Sequence, residues 1–180
     1  CNLKCLHCYN ASWKRDPEEL TTTEALEIAD KLKQQGVVAV NFGGGECALR
    51  PDFLEICQKL YSLGMAISYT TNGTTFERIK NHLHLFHDVG VSIDFADASK
   101  HDAFRGKEGT FNQAVEALEV LVEKRINNEM VTCLTKQNCS DNELKRLYEL
   151  AQHLNLDSWR LNRFRANGRG EENRSELALS

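Results

Sequence analysis

The stretch Val37-Val38-Ala39-Val40-Asn41-Phe42-Gly43-Gly44-Gly45-Glu46 is a short apolar run that ends in a glycine loop. It reads as a buried strand whose carboxyl end opens into a turn. Before it, Thr21-Thr22-Thr23-Glu24 has the spacing of a capping box. Ala25, Ile28, Ala29 and Leu32 follow at helical spacing, and Gly36 stops the helix. After it, Pro51 suits the first position of a second helix, whose apolar face is Phe53, Leu54, Cys57, Leu60 and Tyr61 and which ends at Gly64.

The alternation continues outward from there. Ala66 to Thr71 reads as a strand ending in Asn72-Gly73, followed by a helix with Phe76, Ile79 and Leu83 on one face. Val89 to Asp94 is the next strand, and a longer loop leads to a helix from about Asn112 to Lys124. Met130 to Thr135 is a strand, Ser140-Asp141-Asn142-Glu143 caps a helix carrying Leu144, Leu147, Ala151 and Leu154, and Ser158 to Asn162 is one more strand. Five strands alternating with helices predict an α/β fold with a parallel sheet, either doubly wound or part of a β/α barrel. In both arrangements ligands gather at the carboxyl ends of the strands. The loops at 43–46, 71–73, 92–94 and 136–139 all lie there.

The 180 residues suffice for one domain with a hydrophobic core. A net charge of −4 argues against nucleic acid or an anionic membrane as partner. No apolar run approaches the roughly 20 residues of a membrane span, and no signal peptide is visible. Seven cysteines is an odd number, and three crowd into the first eight residues, too close to staple a fold. Without an export signal, clustered thiols are expected to be metal ligands or catalytic groups, and the reducing cytoplasm is the expected compartment.

Cys1, Cys5 and Cys8 form a C-x3-C-x2-C pattern. An iron–sulfur cubane normally takes four thiolates. Three in one loop would leave one iron open to a chelating substrate. A zinc site completed by a distant ligand such as His7 is the alternative, although no second cysteine dyad exists; cysteines with no metal at all are another. Gly44-Gly45-Glu46 offers backbone carbonyls that a ligand can approach closely and a carboxylate that could pair with an ammonium. Alone, that tripeptide is a tight turn with a surface acid.

Together, the cysteine triplet and the Gly-Gly-Glu loop after the next strand resemble the signature of the radical S-adenosylmethionine (SAM) superfamily. Further similarities run along the chain. Thr71-Asn72-Gly73 looks like that family's third-strand segment, and Ser92-Ile93-Asp94 resembles its fourth-strand Ser-x-Asp near the SAM ribose and carboxylate. His101-Asp102-Ala103-Phe104-Arg105-Gly106 and Asn167-Gly168-Arg169-Gly170 resemble loops of the SPASM-type branch, which contains peptide maturases, sulfatase-activating enzymes and tetrapyrrole-tailoring enzymes.

The resemblance implies a partial (β/α)6 TIM-like barrel of the radical SAM type, its first strand missing before Cys1. Residues 1–180 would be the core domain, followed in the full protein by a Cys-rich auxiliary-cluster domain. Cys1, Cys5 and Cys8 would hold a [4Fe-4S] cluster. SAM would meet His7, Gly44, Gly45, Glu46, Thr71, Asn72, Ser92, Asp94, Arg105 and Leu161, with His7 stacking near the adenine and Leu161 touching it. Arg105 could instead form a loop-end salt bridge. Where the family usually has Pro, this chain has Cys47, whose thiol would lie close to the cluster as a catalytic candidate or simply be a tolerated small residue.

Other residues read as ordinary. Cys57 and Cys133 are expected in the core, Cys139 in a loop. His82 and His84 point apart on a helix, so a His82/His84/His87 metal site is not expected. Arg160, Arg163, Arg165 and Arg169 read as a solvated basic face, with acidic-peptide contact as a minor alternative.

The implied activity is reductive cleavage of SAM to a 5′-deoxyadenosyl radical for hydrogen abstraction, with a flavodoxin or ferredoxin as electron donor. The expected substrate is a peptide or protein. The runner-up is a tetrapyrrole or other cofactor precursor. A non-catalytic Fe–S or Zn module is the rival from another class.

Overall fold

A computed structural model describes residues 1–10, 12, 13, 16 and 18–179. Its first helix, α1 (Thr22–Gln34), starts on the expected capping box. Thr21 Oγ1 accepts from the Glu24 N–H at 3.3 Å, and Glu24 Oε2 accepts from the Thr21 N–H at 2.8 Å. Strand β1 (Ala39–Phe42) and helix α2 (Phe53–Ser62) follow. Beyond them run β2 (Ala66–Thr71), β3 (Asp88–Ser92), α3 (Ala98–Arg105), α4 (Thr110–Glu123), β4 (Asn127–Leu134), α5 (Asp141–His153) and β5 (Ser158–Arg163). Two short helices, α6 (Arg169–Glu172) and α7 (Arg174–Leu177), close the chain.

All five strands are parallel, and their spatial order is their sequence order, β1-β2-β3-β4-β5. A doubly wound sheet reverses its order at a switch point. This sheet never reverses, so each crossover advances the same way, as in a β/α barrel. The topology thus decides between the two windings that alternation alone leaves open, in favour of a partial barrel. The core lies between sheet and helices: Ile67, Tyr69, Val89, Val91 and Met130 from the strands pack with Cys57, Leu60, Leu118, Leu121 and Leu147 from the helices. Among the described residues no helix is long and apolar enough to cross a membrane.

Two local expectations need correction. The segment after β2 is not an α-helix but two 3-10 turns, Phe76–Arg78 and Lys80–Leu85, with His82 in a non-helical conformation. Tight i+3 turns still bury Phe76, Ile79 and Leu83, so the apolar spacing was met by a different helix type. Conversely, the expected loop after β3 contains α3. Asp97 caps it by accepting from the Lys100 N–H at 3.0 Å, and Gly106 ends it in the left-handed conformation. His101 and Phe104 are thereby buried helix residues rather than loop residues.

Candidate active site

The cysteine loop has no regular secondary structure, so its backbone polar groups need partners from elsewhere. Distant segments supply them. The Leu6 N–H donates to Phe104 O at the end of α3 at 3.0 Å. From α6 and its flanks, the Gly170 N–H donates to Cys8 O at 3.1 Å, Arg169 Nη1 to Cys5 O at 3.4 Å, and Asn173 Nδ2 to Leu6 O at 3.0 Å. Gly168 makes this approach possible. It has φ +56°, and a Cβ there would lie 2.7 Å from Tyr9 O and 3.0 Å from Cys8 O.

With its backbone tied down outside, the loop presents Cys1, Cys5 and Cys8 to a cavity of about 640 Å³ at the carboxyl ends of the strands. That volume is in the range of small-molecule sites, roughly 300–1,000 Å³. Cys5 is buried, which pushes its thiol pKa up, and the nearby Arg105 guanidinium pulls the other way. Asn72 Nδ2 lies 3.9 Å from Cys1 Sγ and 3.2 Å from Asn2 Oδ1, linking the end of β2 to the loop.

The glycine loop after β1 forms the adjoining wall, with Gly43, Gly44, Gly45 and Glu46 all lining the cavity. Gly45 lets the loop press against the cysteine segment: a Cβ there would sit 3.2 Å from Ser12 Cβ and 3.4 Å from Cys1 Cβ. Glu46 is buried, and its carboxylate accepts hydrogen bonds from Tyr69 Oη, Thr71 Oγ1 at 3.0 Å, the Asn72 N–H at 2.8 Å and Thr75 Oγ1 at 2.8 Å. A carboxylate accepts about four such bonds. Glu46 therefore clamps the β1 loop to the end of β2, and the Gly44 and Gly45 carbonyls accept no hydrogen bond among the described residues.

Asp94 is fully buried and does not line the cavity, contrary to the expectation that it meets SAM directly. The chain bends inward after β3. Asp94 Oδ2 accepts from Arg105 Nε at 2.7 Å and Nη2 at 2.6 Å, while Oδ1 accepts from the Cys133 N–H at 2.8 Å. Burial raises the Asp94 pKa, but Arg105 and the other donors outweigh it and hold the carboxyl below its usual range. Arg105 forms the expected salt bridge and also reaches the cavity wall.

His7 lines the cavity and stacks on Phe104, ring centroids 4.6 Å apart and 12° from parallel. Burial lowers its pKa to about 4, so the ring is neutral at pH 7, and its buried Nδ1 has no hydrogen-bond partner among the described residues. Thr71, Asn72, Ser92 and Leu161 also line the cavity.

Cys47 does not. Its thiol donates to Gly43 O at 3.4 Å and packs against the hydrophobic core, because the chain turns into a 3-10 helix at that residue. The catalytic candidacy of Cys47 is corrected accordingly. Cys133, expected in the core, packs against a small cluster of Phe95, Phe104, Phe164 and Leu177 and also lines the cavity, and burial raises its thiol to about 12. Arg160, Arg163 and Arg165, read as a solvated basic face with acidic-peptide contact as the minor alternative, line the cavity from β5 and the loop after it, as do Asn162 and Asn167, which the sequence did not single out as site residues. Their signal was position: they follow the last strand, at the end where every other informative loop sits.

The donor set fits an iron–sulfur cubane with SAM beside it. Three free thiols from one loop border a roomy cavity that also carries backbone acceptors and buried polar groups. No three His, Cys, Asp or Glu side chains among the described residues are grouped to hold a single metal ion, whereas a cubane spreads its ligands over several irons.

Comparisons with known proteins agree with this geometry. The family model described as "Radical SAM superfamily" matches residues 1–151. Mycofactocin maturase MftC of Mycolicibacterium smegmatis is 36% identical over 176 residues, which are 96% of this chain and 44% of that protein. AdoMet-dependent heme synthase of Methanosarcina barkeri is 34% identical over 176 residues, 96% of this chain and 50% of that protein. The chain therefore spans about half the length of the curated relatives it matches. Streptococcus suis SuiB bound to S-adenosylmethionine shares the fold with a TM-score of 0.78 at 18% identity, over 92% of this chain and 38% of that one.

Proposed function

We propose that this chain, which belongs to the radical SAM superfamily, is the core of an enzyme that modifies a peptide or protein. Radical SAM enzymes use a [4Fe-4S] cluster and SAM. When bound, these supply one-electron cleavage of the sulfonium and a carbon radical able to take a hydrogen atom. The observation that carries the reading is the meeting of Cys1, Cys5 and Cys8 with the Gly43–Glu46 loop on one cavity wall.

In this reading the chain's own residues bind, orient and exclude water. Cys1, Cys5 and Cys8 would hold three irons and leave the fourth for the methionine end of SAM. Backbone carbonyls of the Gly44–Gly45 segment would take its ammonium, with Glu46 fixing that segment rather than meeting the ligand. Ser92 and Arg105 would take its polar groups, and Asp94 would hold the Arg105 guanidinium in place. His7 and Leu161 would flank the adenine. A flavodoxin or ferredoxin would deliver the electron.

Peptide modification is supported by the mycofactocin maturase at 36% identity. The second reading, a tetrapyrrole substrate, is favoured by the heme synthase at 34% identity. The test is anaerobic loading of the full-length protein with iron and sulfide. Wild type should give a cubane spectrum that changes on adding SAM, and should form 5′-deoxyadenosine under reductant. Cys1, Cys5 and Cys8 changed together to Ala should do neither. A loaded wild type whose spectrum ignores SAM would sink the proposal, and a mass shift in an offered peptide rather than a tetrapyrrole separates the two substrates.

A further inference from the structure

The cavity wall carries more positive charge than its own residues neutralise. Among the described residues the one carboxylate lining it is that of Glu46, whose oxygens are filled by Tyr69, Thr71, Asn72 and Thr75. Arg105 answers the buried Asp94. Arg160 Nη2 lies 2.8 Å from Glu129 Oε2. Arg163 and Arg165 are different. Both line the cavity and are exposed, and no ion pair or hydrogen bond engages either side chain among the described residues. In a chain of net charge −4, two free guanidiniums at the mouth of the principal cavity are a local reversal of sign.

Their place in the fold separates them from the proposed site of the methionine end of SAM, although Leu161 on the same strand would flank the adenine. They stand at and just beyond the end of β5, the opposite edge strand of the sheet from β1 and its glycine loop. In the reading above, the methionine end of SAM, with its single carboxylate, lies at the cysteine and glycine loops. Asn162 and Asn167 line the same stretch as neutral hydrogen-bonding groups.

We infer that Arg163 and Arg165 form a recognition rim for carboxylate groups of the substrate. The inference rests on the radical SAM reading and deepens it by naming substrate chemistry. A guanidinium pairs with a carboxylate through two parallel N–H bonds, a geometry a lysine lacks. Two exposed guanidiniums beside a concave wall also draw an anion toward the cavity from solution, and salt weakens that pull. The carboxylate could come from a peptide, as its chain end or an acidic side chain, or from the periphery of a tetrapyrrole.

The test uses the full-length, cluster-loaded protein with SAM, under anaerobic conditions, and measures equilibrium binding of two probe pairs. One pair is a short peptide with a free carboxyl end and its carboxamide. The other is a tetracarboxylate porphyrin and its methyl ester. Wild type should favour the free acid of one pair by about tenfold or more at low salt, with the preference shrinking as salt is raised. Arg163→Ala/Arg165→Ala should abolish the preference while SAM affinity moves less than about twofold. Arg163→Lys/Arg165→Lys should retain part of it, since charge survives without the fork. The pair that shows the preference names the source.

No acid preference in either pair overturns the inference. So does a double Ala variant that loses SAM as strongly as probe, which would assign the guanidiniums to the SAM carboxylate. A wild type that cleaves SAM yet shows no acid preference removes this inference alone. Failure to bind or cleave SAM removes the reading beneath it.

Discussion

Arg105 forks onto Asp94: Nε and Nη2 reach the same carboxylate oxygen at 2.7 and 2.6 Å, in a site where Asp94 is wholly enclosed. The other Asp94 oxygen takes the Cys133 N–H, and Asn138 Nδ2 donates to its backbone carbonyl at 2.9 Å. One buried aspartate thus joins α3 and β4 through its carboxylate and the turn after β4 through its backbone carbonyl. Asp94→Ala would leave the guanidinium buried without its counter-charge, and such a loss costs about 3–5 kcal/mol. Urea unfolding of the variant against wild type measures this. A loss below about 1 kcal/mol, the scale of an exposed pair, would show that the fork is not enclosed in solution.

Gly168→Ala should damage cluster loading more than the fold. A methyl group there meets Tyr9 O and Cys8 O at a backbone conformation that L-residues avoid, with strain of about 1–3 kcal/mol. The cysteine loop, rather than the sheet, is the part free to move. The expected result is a far-UV spectrum like wild type with a reduced iron and sulfide content after reconstitution. Full loading of the variant would contradict the close packing of this strap on the loop.

Glu46→Gln tests the clamp. The amide nitrogen cannot accept, so at least one of the donors from Tyr69, Thr71, Asn72 and Thr75 is left facing it. An unsatisfied buried donor costs about 1–3 kcal/mol. Thr75→Val removes a single donor and should cost less. Equal stability of E46Q and wild type in denaturant titration would mean that Glu46 is not engaged inward.

Cys47→Ala should be almost silent. The thiol, which does not line the cavity, makes one weak hydrogen bond to Gly43 O and is only partly buried against the core. A stability loss of no more than about 1 kcal/mol is expected for one hydrogen bond, with 5′-deoxyadenosine formation within about twofold of wild type. A loss of product formation with the fold intact would return Cys47 to the site.

Asp102 gives a pH dependence whose sign is fixed by its partners. Burial raises its pKa, but the Phe111 N–H, the Thr110 hydroxyl and the Gly109 N–H outweigh this and hold it below the usual carboxylate range. A carboxyl depressed in the folded state contributes stability above its unfolded pKa of about 3.9 and loses it as pH falls through the folded value. The stability gap between wild type and Asp102→Asn should therefore be full near pH 6 and close progressively below about pH 4. A gap independent of pH would assign the effect to lost contacts alone.

The chain's local chemistry determined its elements and the nature of its site. Apolar spacing marks the five strands, the Thr21–Glu24 and Ser140–Glu143 caps start α1 and α5 where expected, and the C-x3-C-x2-C loop with Gly44-Gly45-Glu46 points to the chemistry. These signals act over a few residues, through hydrogen bonds, side-chain periodicity and ligand spacing, so they are readable in one dimension. Tertiary structure alone decided the winding of the sheet, the inward turn of Asp94 and Glu46, the exit of Cys47 from the cavity, and the arrival of Arg163 and Arg165 at its rim. Each of these depends on which polar group finds a partner from a segment tens of residues away. That choice is made when strands register and the buried donors and acceptors must be satisfied together.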